Sequence, residues 1–273
     1  MAGGTLVLQP QAAMYLCHRF DTRLHPLLRV GRLPAEATED DHEQVRALGK
    51  RQLAERRLLE HDDLHPFLDD ALQLLARPPL AVGLAVHRER GEDFNAVLVE
   101  HGRSTVQAYQ ADGDTPDAVT DILISRHEYG GPVGNAIELL GKIPPGQGAS
   151  VSLPSEQLDQ AVQRMRSGAP GLAGALGASG IKQSDARLLA QAFGAKRTLD
   201  GVLTVRSYDQ KVRRMHKLPV NLTFFVTAEG SYFTQKRPGP DGREWFTLAP
   251  ADNRKLGSKV EEMVRALRTG RLV

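Results

Sequence analysis

Residues 218–252 of the sequence, LPVNLTFFVTAEGSYFTQKRPGPDGREWFTLAPAD, decide the fold. Apolar and polar side chains alternate along residues 218–227, which is the two-residue period of a half-buried strand. Glu229-Gly230 then provides a tight turn in which the glycine can adopt a positive φ, and residues 238–242 provide a second turn rich in proline and glycine. The stretch therefore predicts three consecutive antiparallel strands, at residues 218–227, 231–237 and 243–248.

The order of elements around this stretch occurs twice in the chain. Residues 4–10 and 148–154 each predict a short strand that ends in proline, followed by helices, three or four strands and a last helix. Residues 144–148, PPGQG, separate the two copies, so we predict an N-terminal half at residues 1–145 and a C-terminal half at residues 146–273 within one domain. Because strands and helices come in runs, the predicted fold class is α+β with an antiparallel sheet.

Periodicity and turn signals predict the remaining elements. Strands are expected at residues 80–87, 94–101, 103–110, 120–125 and 199–208, and helices at residues 39–59, 64–76, 134–141, 155–165 and 250–267, with one more helix capped by Ser184. Pro250 and Asp252 are expected at the first and third positions of the last helix. Residues 14–34, which two prolines interrupt, are expected to be irregular.

Composition and charge favour a globular protein of the cytosol. With 273 residues the chain can bury a substantial core without disulfides, and its one cysteine, Cys17, fits a reducing compartment. No stretch approaches the length of a membrane span and no leader pattern is present, so we expect cytoplasmic localisation. Residues 1–145 carry a net charge of −7 and residues 146–273 one of +9, which either orients a partner or is incidental to solubility.

Two features could belong to an enzyme. His61 and His65 could hold a metal if they were helical, but Asp62 or Asp63 between them is also well placed to cap the following helix. The glycines of residues 171–180, GLAGALGASG, lack the spacing and the preceding strand of a phosphate-binding loop and favour a packed helical hairpin. We therefore expect no enzyme, no cofactor and no metal, with a metal- or nucleotide-dependent enzyme as the alternative.

Two further features could contact a macromolecule. Residues 211–217, KVRRMHK, form a basic hairpin tip that could contact phosphates, but the absence of interleaved aromatic side chains favours a solvated loop. Phe225 and Trp245 lie on the strand faces opposite their most apolar neighbours. Either helices of the C-terminal half cover both rings, or the rings are exposed on an open sheet and form a protein-binding surface.

Four segments of the sequence resemble the EspG family, the cytosolic chaperones of type VII (ESX) secretion. They are Leu74-Leu-Ala-Arg-Pro78, residues 146–154, Gly230-Ser-Tyr-Phe233 and residues 241–252, DGREWFTLAPAD. The resemblance covers essentially the whole chain and is strongest in its C-terminal third. It implies a central antiparallel sheet with helical bundles, arranged as two halves related by a pseudo-twofold axis.

The resemblance also implies a function and a set of contact residues. Chaperones of this family bind the helical tip of the PPE protein in a PE–PPE heterodimer, keep it soluble and target it for export, without nucleic acid or membrane insertion. Carried over by position, the expected partner-binding residues lie in a loop, on helices and on the sheet: Arg88, Glu89, Arg90, Glu92 and Asp93; Leu172, Leu176, Ile181, Leu189 and Phe193; and Thr223 and Phe225.

These contact residues are expected to differ in weight. If Phe225 is an exposed central aromatic, Phe225→Ala should weaken substrate capture by on the order of 2 kcal/mol while the protein stays folded. Glu89 would lie at a charged rim, where a change to alanine should cost about 0–1 kcal/mol of binding.

Overall fold

The computed structural model of the protein describes residues 4–115, 117–168, 171–239 and 241–270. The strands are β1 Leu6–Leu8, β2 Leu59–Glu60, β3 Asp63–Leu64, β4 Ala81–Arg88, β5 Phe94–His101, β6 Ser104–Ala111, β7 Ile122–His127, β8 Val151–Pro154, β9 Arg197–Asp209, β10 Arg214–Lys217, β11 Leu222–Thr227, β12 Gly230–Pro238 and β13 Glu244–Ala251. The helices are α1 Pro10–Arg19, α2 Glu39–Glu55, α3 Pro66–Ala76, α4 Gly131–Leu140, α5 Ser155–Arg166, α6 Gly171–Ala178, α7 Gln183–Gly194 and α8 Asn253–Thr269.

The three strands predicted from residues 218–252 are β11, β12 and β13, and they pair antiparallel in that order. β11 begins at Leu222, four residues later than expected, and Ala228 and Glu229 form the tight turn. Gly230 has a φ of 131°, and a side chain there would meet the Pro145 carbonyl oxygen at 2.6 Å, so only glycine fits. The second predicted turn includes Pro240, which lies outside the described residues.

The large sheet confirms the predicted α+β class and the repeated order of elements. Its eleven described strands pair antiparallel, ten of them in the order β1-β7-β6-β5-β4-β9-β11-β12-β13-β8, while β10 pairs with β9 beside this path. Reading outward from the central β4–β9 pair, each strand of one half meets its counterpart in the other: β5 and β11, β6 and β12, β7 and β13, β1 and β8. The division between residues 145 and 146 stays a prediction.

Helices cover the two faces of the sheet unequally. We call the face that carries Phe225 the front face and the face that carries Phe224 the back face. On the front face, α1–α3 pack against the outer strands of the first half and α5–α7 against the outer strands of the second half. On the back face, α4 and α8 pack across the middle of the sheet. The centre of the front face therefore lies between two helical groups.

Several expected helix starts are wrong, because prolines and aspartates take other roles. Residues 14–34 are not wholly irregular, since α1 extends to Arg19. Pro10 does not simply end β1 but occupies the first position of α1, where its missing N–H does no harm. At the other end of the chain, Pro250 lies inside β13, and Asp252 is the N-cap of α8, where its carboxylate accepts a hydrogen bond from the Lys255 N–H at 2.7 Å.

The expected side-chain caps of α3 and α7 are also wrong. α3 begins after His65, with Pro66 in its first turn and no capping side chain. The Asp62 carboxylate instead accepts a hydrogen bond from the Lys50 ammonium at 2.9 Å, which joins the residues just before α3 to α2. α7 follows Lys182, and Ser184 lies within its first turn. These segments are fixed by packing and ion pairs where local capping was predicted.

Candidate functional site

The charged loop between β4 and β5 has a fixed conformation. The Asp93 carboxylate accepts a hydrogen bond from the Arg88 N–H at 2.6 Å and also contacts the His87 ring. The Arg88 guanidinium lies 5.3 Å from the centre of the Phe94 ring. The Tyr109 hydroxyl donates a hydrogen bond to the Glu92 carboxylate at 3.1 Å. Burial, and after it this carboxylate, raises the pKa of Tyr109 to about 12, so the hydroxyl keeps its proton and remains a donor. Strands β4 to β6 therefore hold the loop in place.

The same loop is tied to the second half of the chain. The Glu89 N–H donates to the Thr198 carbonyl oxygen at 3.0 Å, and the Glu89 carboxylate forms an ion pair with Lys196. Lys196 lies two residues beyond the end of α7, so the loop reaches the end of the helical group α5–α7. Glu89, Arg90 and Glu92 are exposed there. The structure thus brings the predicted loop to the C-terminal end of α7, the helix that carries Leu189 and Phe193.

The five predicted helical residues divide between core and surface. Leu176 and Leu189 are fully buried beneath α6 and α7 and stabilise the packing of these helices on the sheet. Leu172, Ile181 and Phe193 are half-buried at the edge of the same cluster. Only these three can present apolar area to a partner without rearrangement.

Phe225 is buried, with 1% of its surface exposed, so the expectation of an exposed aromatic is wrong. Its ring lies 6.0 Å from that of Phe193 and 5.7 Å from that of Tyr232. Helices of the C-terminal half cover it, which is the other of the two alternatives left open by the sequence. Trp245 is half-buried on the back face, and its indole N–H donates to Asp241 at 3.1 Å.

The central strands leave a partly open strip on the front face, which sequence reasoning missed. Five residues that are direct cross-strand neighbours on β5, β4, β9, β11 and β12 are all half-buried and small or polar. We call them the central row: Asn95, Ala85, Val202, Thr223 and Thr234. Thr223 is the member that the sequence had already singled out. Alternation within each strand indicated on which face each of these residues lies, but only the pairing register of the strands shows that the five are neighbours.

We call the half-exposed strip over the central row, between the strands that α1–α3 cover and those that α5–α7 cover, the groove. Its next neighbours toward the charged loop are His87 and Asp200, which are cross-strand partners, followed by Arg197 above the Phe225 ring. The short side chains of the floor allow an inserted element to approach the sheet closely, and the charged loop forms one rim. Such an arrangement, with short side chains at the centre and charged side chains at one rim, leaves space for a protein partner against the sheet.

The features that could have indicated an enzyme gain no support. Among the described residues, no group of three or more His, Cys, Asp and Glu side chains is placed to hold a metal ion. His61 adopts a φ of 56°, and the neighbouring Asp62 is engaged by Lys50. The glycine run forms α6 and the turn after it, and it follows a helix, where a phosphate-binding loop would follow a strand.

No helix in the described part of the chain combines the length and the apolar character that crossing a membrane requires.

Comparison with solved structures identifies the fold. The chain is similar to the Mycobacterium tuberculosis type VII secretion system chaperone EspG5, solved in complex with the PE25–PPE41 dimer, at 16% sequence identity and a TM-score of 0.69 over 97% of each chain. A match to dehydratases from type I polyketide synthases has 11% identity over 68% of this chain and 80% of that one, and its TM-score of 0.21 carries no argument. Comparison with curated protein sequences gives no match.

A family comparison extends this result from fold to ancestry. The model of the EspG family matches residues 9–262, which include the charged loop, every member of the central row and helices α5–α7. The match spans both halves of the sheet, in agreement with the resemblance that the sequence itself displays. The chain belongs to the EspG family.

Proposed function

We propose that this protein is a cytoplasmic type VII secretion chaperone, which binds the helical tip of a PE–PPE-type heterodimer or of a similar helical substrate, keeps that tip soluble and targets it for export. Membership of the EspG family over residues 9–262 is the observation that carries the proposal. The fold shared with EspG5, which was solved bound to a PE–PPE dimer, supports it.

The groove on the front face is the proposed binding site for the substrate tip. A helical tip presents apolar side chains at one end, and burying them is the main source of binding free energy. The floor of small residues around Thr223 and Val202 would lie against the tip. The half-buried Leu172, Ile181 and Phe193 would line one side, while Glu89, Arg90 and Glu92 would orient the substrate from the rim.

The buried members of the predicted contact set act indirectly in this proposal. Leu176, Leu189 and Phe225 support the α5–α7 group, so their side chains set the position of the groove wall without touching the substrate. Arg88 and Asp93 play the equivalent part for the loop, since their mutual hydrogen bond fixes its shape.

The test is co-expression with each PE–PPE-type pair encoded in the same genome, followed by gel filtration. We expect one pair to elute in a stable complex with the chaperone. Thr223→Arg places a long charged side chain in the central row and should weaken this complex at least tenfold, which corresponds to about 1.4 kcal/mol.

Thr247→Arg is the matched control. Thr247 is also half-buried on a strand, but its partner Ser152 lies at the sheet edge and its side chain lies on the back face. This variant should retain the complex, and thermal unfolding of both variants separates binding from stability. The proposal would be overturned if the protein bound none of the pairs, or if Thr223→Arg bound its pair as tightly as the wild type does.

A further inference from the structure

The second half of the sheet carries an arm that the groove does not use. We call residues 206–217 the basic ribbon: the end of β9, a four-residue loop and β10. β10 pairs with β9 through four residues, from Lys217 opposite Arg206 to Arg214 opposite Asp209. Because Arg88 lies opposite Leu199 and Ala81 opposite Arg206, the ribbon lies at the end of the sheet remote from the charged loop.

The ribbon carries unbalanced positive charge. Lys211, Arg213, Arg214 and Lys217 are exposed, and within the described ranges none of their side chains forms an ion pair or a hydrogen bond. The only acidic residue of the ribbon is Asp209. Its carboxylate accepts hydrogen bonds from the backbone N–H groups of Lys211 at 2.8 Å and Val212 at 3.2 Å.

Asp209 therefore shapes the turn, and it supplies one negative charge against the four cations of the ribbon. The two backbone N–H groups, that of Val212 first, hold the pKa of the Asp209 carboxyl below its usual range. The carboxylate's lone pairs are directed at the loop backbone, while the four cationic side chains extend into solvent.

The ribbon is dense in cations, with four of them within residues 211–217. Two exposed cations elsewhere show the ion pairs that these four lack: Arg268 lies 3.0 Å from Glu100, and Lys236 lies 3.1 Å from Glu244. The register sets Arg214 opposite Asp209 but Lys217 directly opposite Arg206, and like charges facing each other across strands are unfavourable. A bound anionic group would relieve this repulsion.

Arg213 adds a second local cost. Its φ is 52°, in the left-handed region where glycine or asparagine is the usual residue. An arginine there costs on the order of 1 kcal/mol relative to glycine.

We propose that the basic ribbon binds an acidic, extended segment of a protein partner. Val212 at the tip is 63% exposed among the cations, so the arm offers apolar area and positive charge together, which suits a polypeptide with carboxylates and apolar side chains. In the described part of the chain, β10 has no strand on its outer edge, so its backbone can pair with an added strand.

The same observations disfavour nucleic acid as the occupant. Duplex or single-stranded nucleic acid is bound through many phosphate contacts and, for single strands, through stacked aromatic rings. The ribbon has four exposed cations and, among its described residues, no exposed aromatic ring at its tip, and the whole chain has a net charge of only +2. This contact is separate from the groove, so the chaperone could hold a substrate and an acidic partner at once.

The experiment measures binding of fluorescein-labelled deca-glutamate to the full chain by fluorescence anisotropy at about 20 mM salt, where exposed charges are little screened. Arg213→Gly with Arg214→Gln removes two cations and relieves the left-handed strain. We expect affinity to fall about tenfold, the melting temperature to stay the same or rise, and the substrate complex to persist.

The matched control is Arg56→Gln with Arg57→Gly. These two adjacent arginines are also exposed, and Arg57 has a φ of 54°, but they follow α2 in the other half. This variant should bind the peptide as the wild type does. Lys211→Gln with Lys217→Gln is a second ribbon pair and should also weaken binding about tenfold.

Four results would overturn the proposal. Both ribbon variants could bind the peptide as tightly as the wild type, or the control variant could lose as much affinity as they do. Alternatively, a 12-base-pair DNA duplex or vesicles containing phosphatidylserine could bind the ribbon more tightly than the peptide, which would assign the arm to another class of partner. Loss of the substrate complex in the ribbon variants would show that the arm belongs to the groove.

Discussion

The Arg197 guanidinium lies 4.4 Å from the centre of the Phe225 ring, and Arg197 also donates to Asp200 at 2.6 Å. This contact joins the first residue of β9 to the middle of β11. With Phe193 packed on the same ring, it closes the sheet beneath the end of α7. The aromatic ring that appeared from alternation to be a surface feature is therefore part of the core.

Phe225→Ala should lower the free energy of unfolding by about 3–5 kcal/mol, because it removes a fully buried ring and leaves a cavity. Urea denaturation measures this cost. Arg197→Ala, which removes only the partly exposed cation above the ring, should cost about 0.5–1 kcal/mol. A Phe225→Ala protein of wild-type stability that no longer captures substrate would restore the exposed-aromatic hypothesis.

Glu89→Ala should change substrate affinity by about 0–1 kcal/mol, since its ion pair with Lys196 is exposed and its backbone hydrogen bond to Thr198 survives. Asp93→Ala should cost more, because it removes the carboxylate that holds the Arg88 N–H and frees the whole loop. Isothermal titration calorimetry with the substrate pair compares the two. Equal losses would mean that the loop makes its contacts through individual charges, independent of its shape.

Two glycine substitutions should have opposite signs. A Cβ at Gly201 would lie 2.2 Å from the Phe224 ring, which is fully buried, so Gly201→Ala should destabilise the protein by about 1–3 kcal/mol. Gly177 lies within α6 with no atom near its would-be Cβ, so Gly177→Ala should stabilise by up to about 1 kcal/mol. Thermal unfolding of the two variants measures both changes in stability. A small change in both variants would mean that the Phe224 ring moves aside to make room for the new methyl group.

Stability should decline in mild acid because of His25. This ring is 3% exposed, and burial, followed by the charge of Arg206, lowers its pKa from 6.5 to about 3. Between these values the unfolded chain binds one more proton, so the free energy of unfolding falls as pH drops below 6.5. The loss approaches about 1.4 kcal/mol per pH unit, or about 2 kcal/mol from pH 7 to pH 5.

His25→Asn tests this assignment, because the asparagine oxygen can still accept the Leu27 N–H that the ring nitrogen Nδ1 accepts at 3.2 Å. Urea unfolding at pH 7 and pH 5 should show the loss in the wild type and at most a small loss in the variant. This range lies above the usual pKa values of the carboxyl groups, which limits their contribution. A variant with the same acid sensitivity as the wild type would assign it to other groups.

The strands were largely predictable from the sequence, and the helix starts were less so. Alternation placed β4 to β7 and β11 to β13 within a few residues, because burial of one or both faces imposes a two-residue period. α1 was missed since Pro10 both follows a strand and opens a helix, two roles that a local pattern does not separate. Asp62 was misassigned because Lys50, its partner, is distant in sequence.

The site was predictable only in part. The charged loop is contiguous in sequence, and the family resemblance indicated it. The central row is contributed by five strands, and its members, from Ala85 to Thr234, become neighbours only through the sheet register. Phe225 shows the opposite limit: its face could be predicted, but the helices that cover that face are separate elements whose docking leaves no mark in the local pattern.

The central β4–β9 ladder has a consequence for how the chain acquires its structure. Its eight residue pairs join positions more than 110 residues apart, so each requires closure of a very long loop before any pairing is gained. During synthesis, β4 is made long before β9. Until β9 is available, one edge of β4 is unpaired and the side chains of Leu84 and Val86 are not fully covered. Until the last third of the chain emerges, the nascent protein is therefore prone to aggregation.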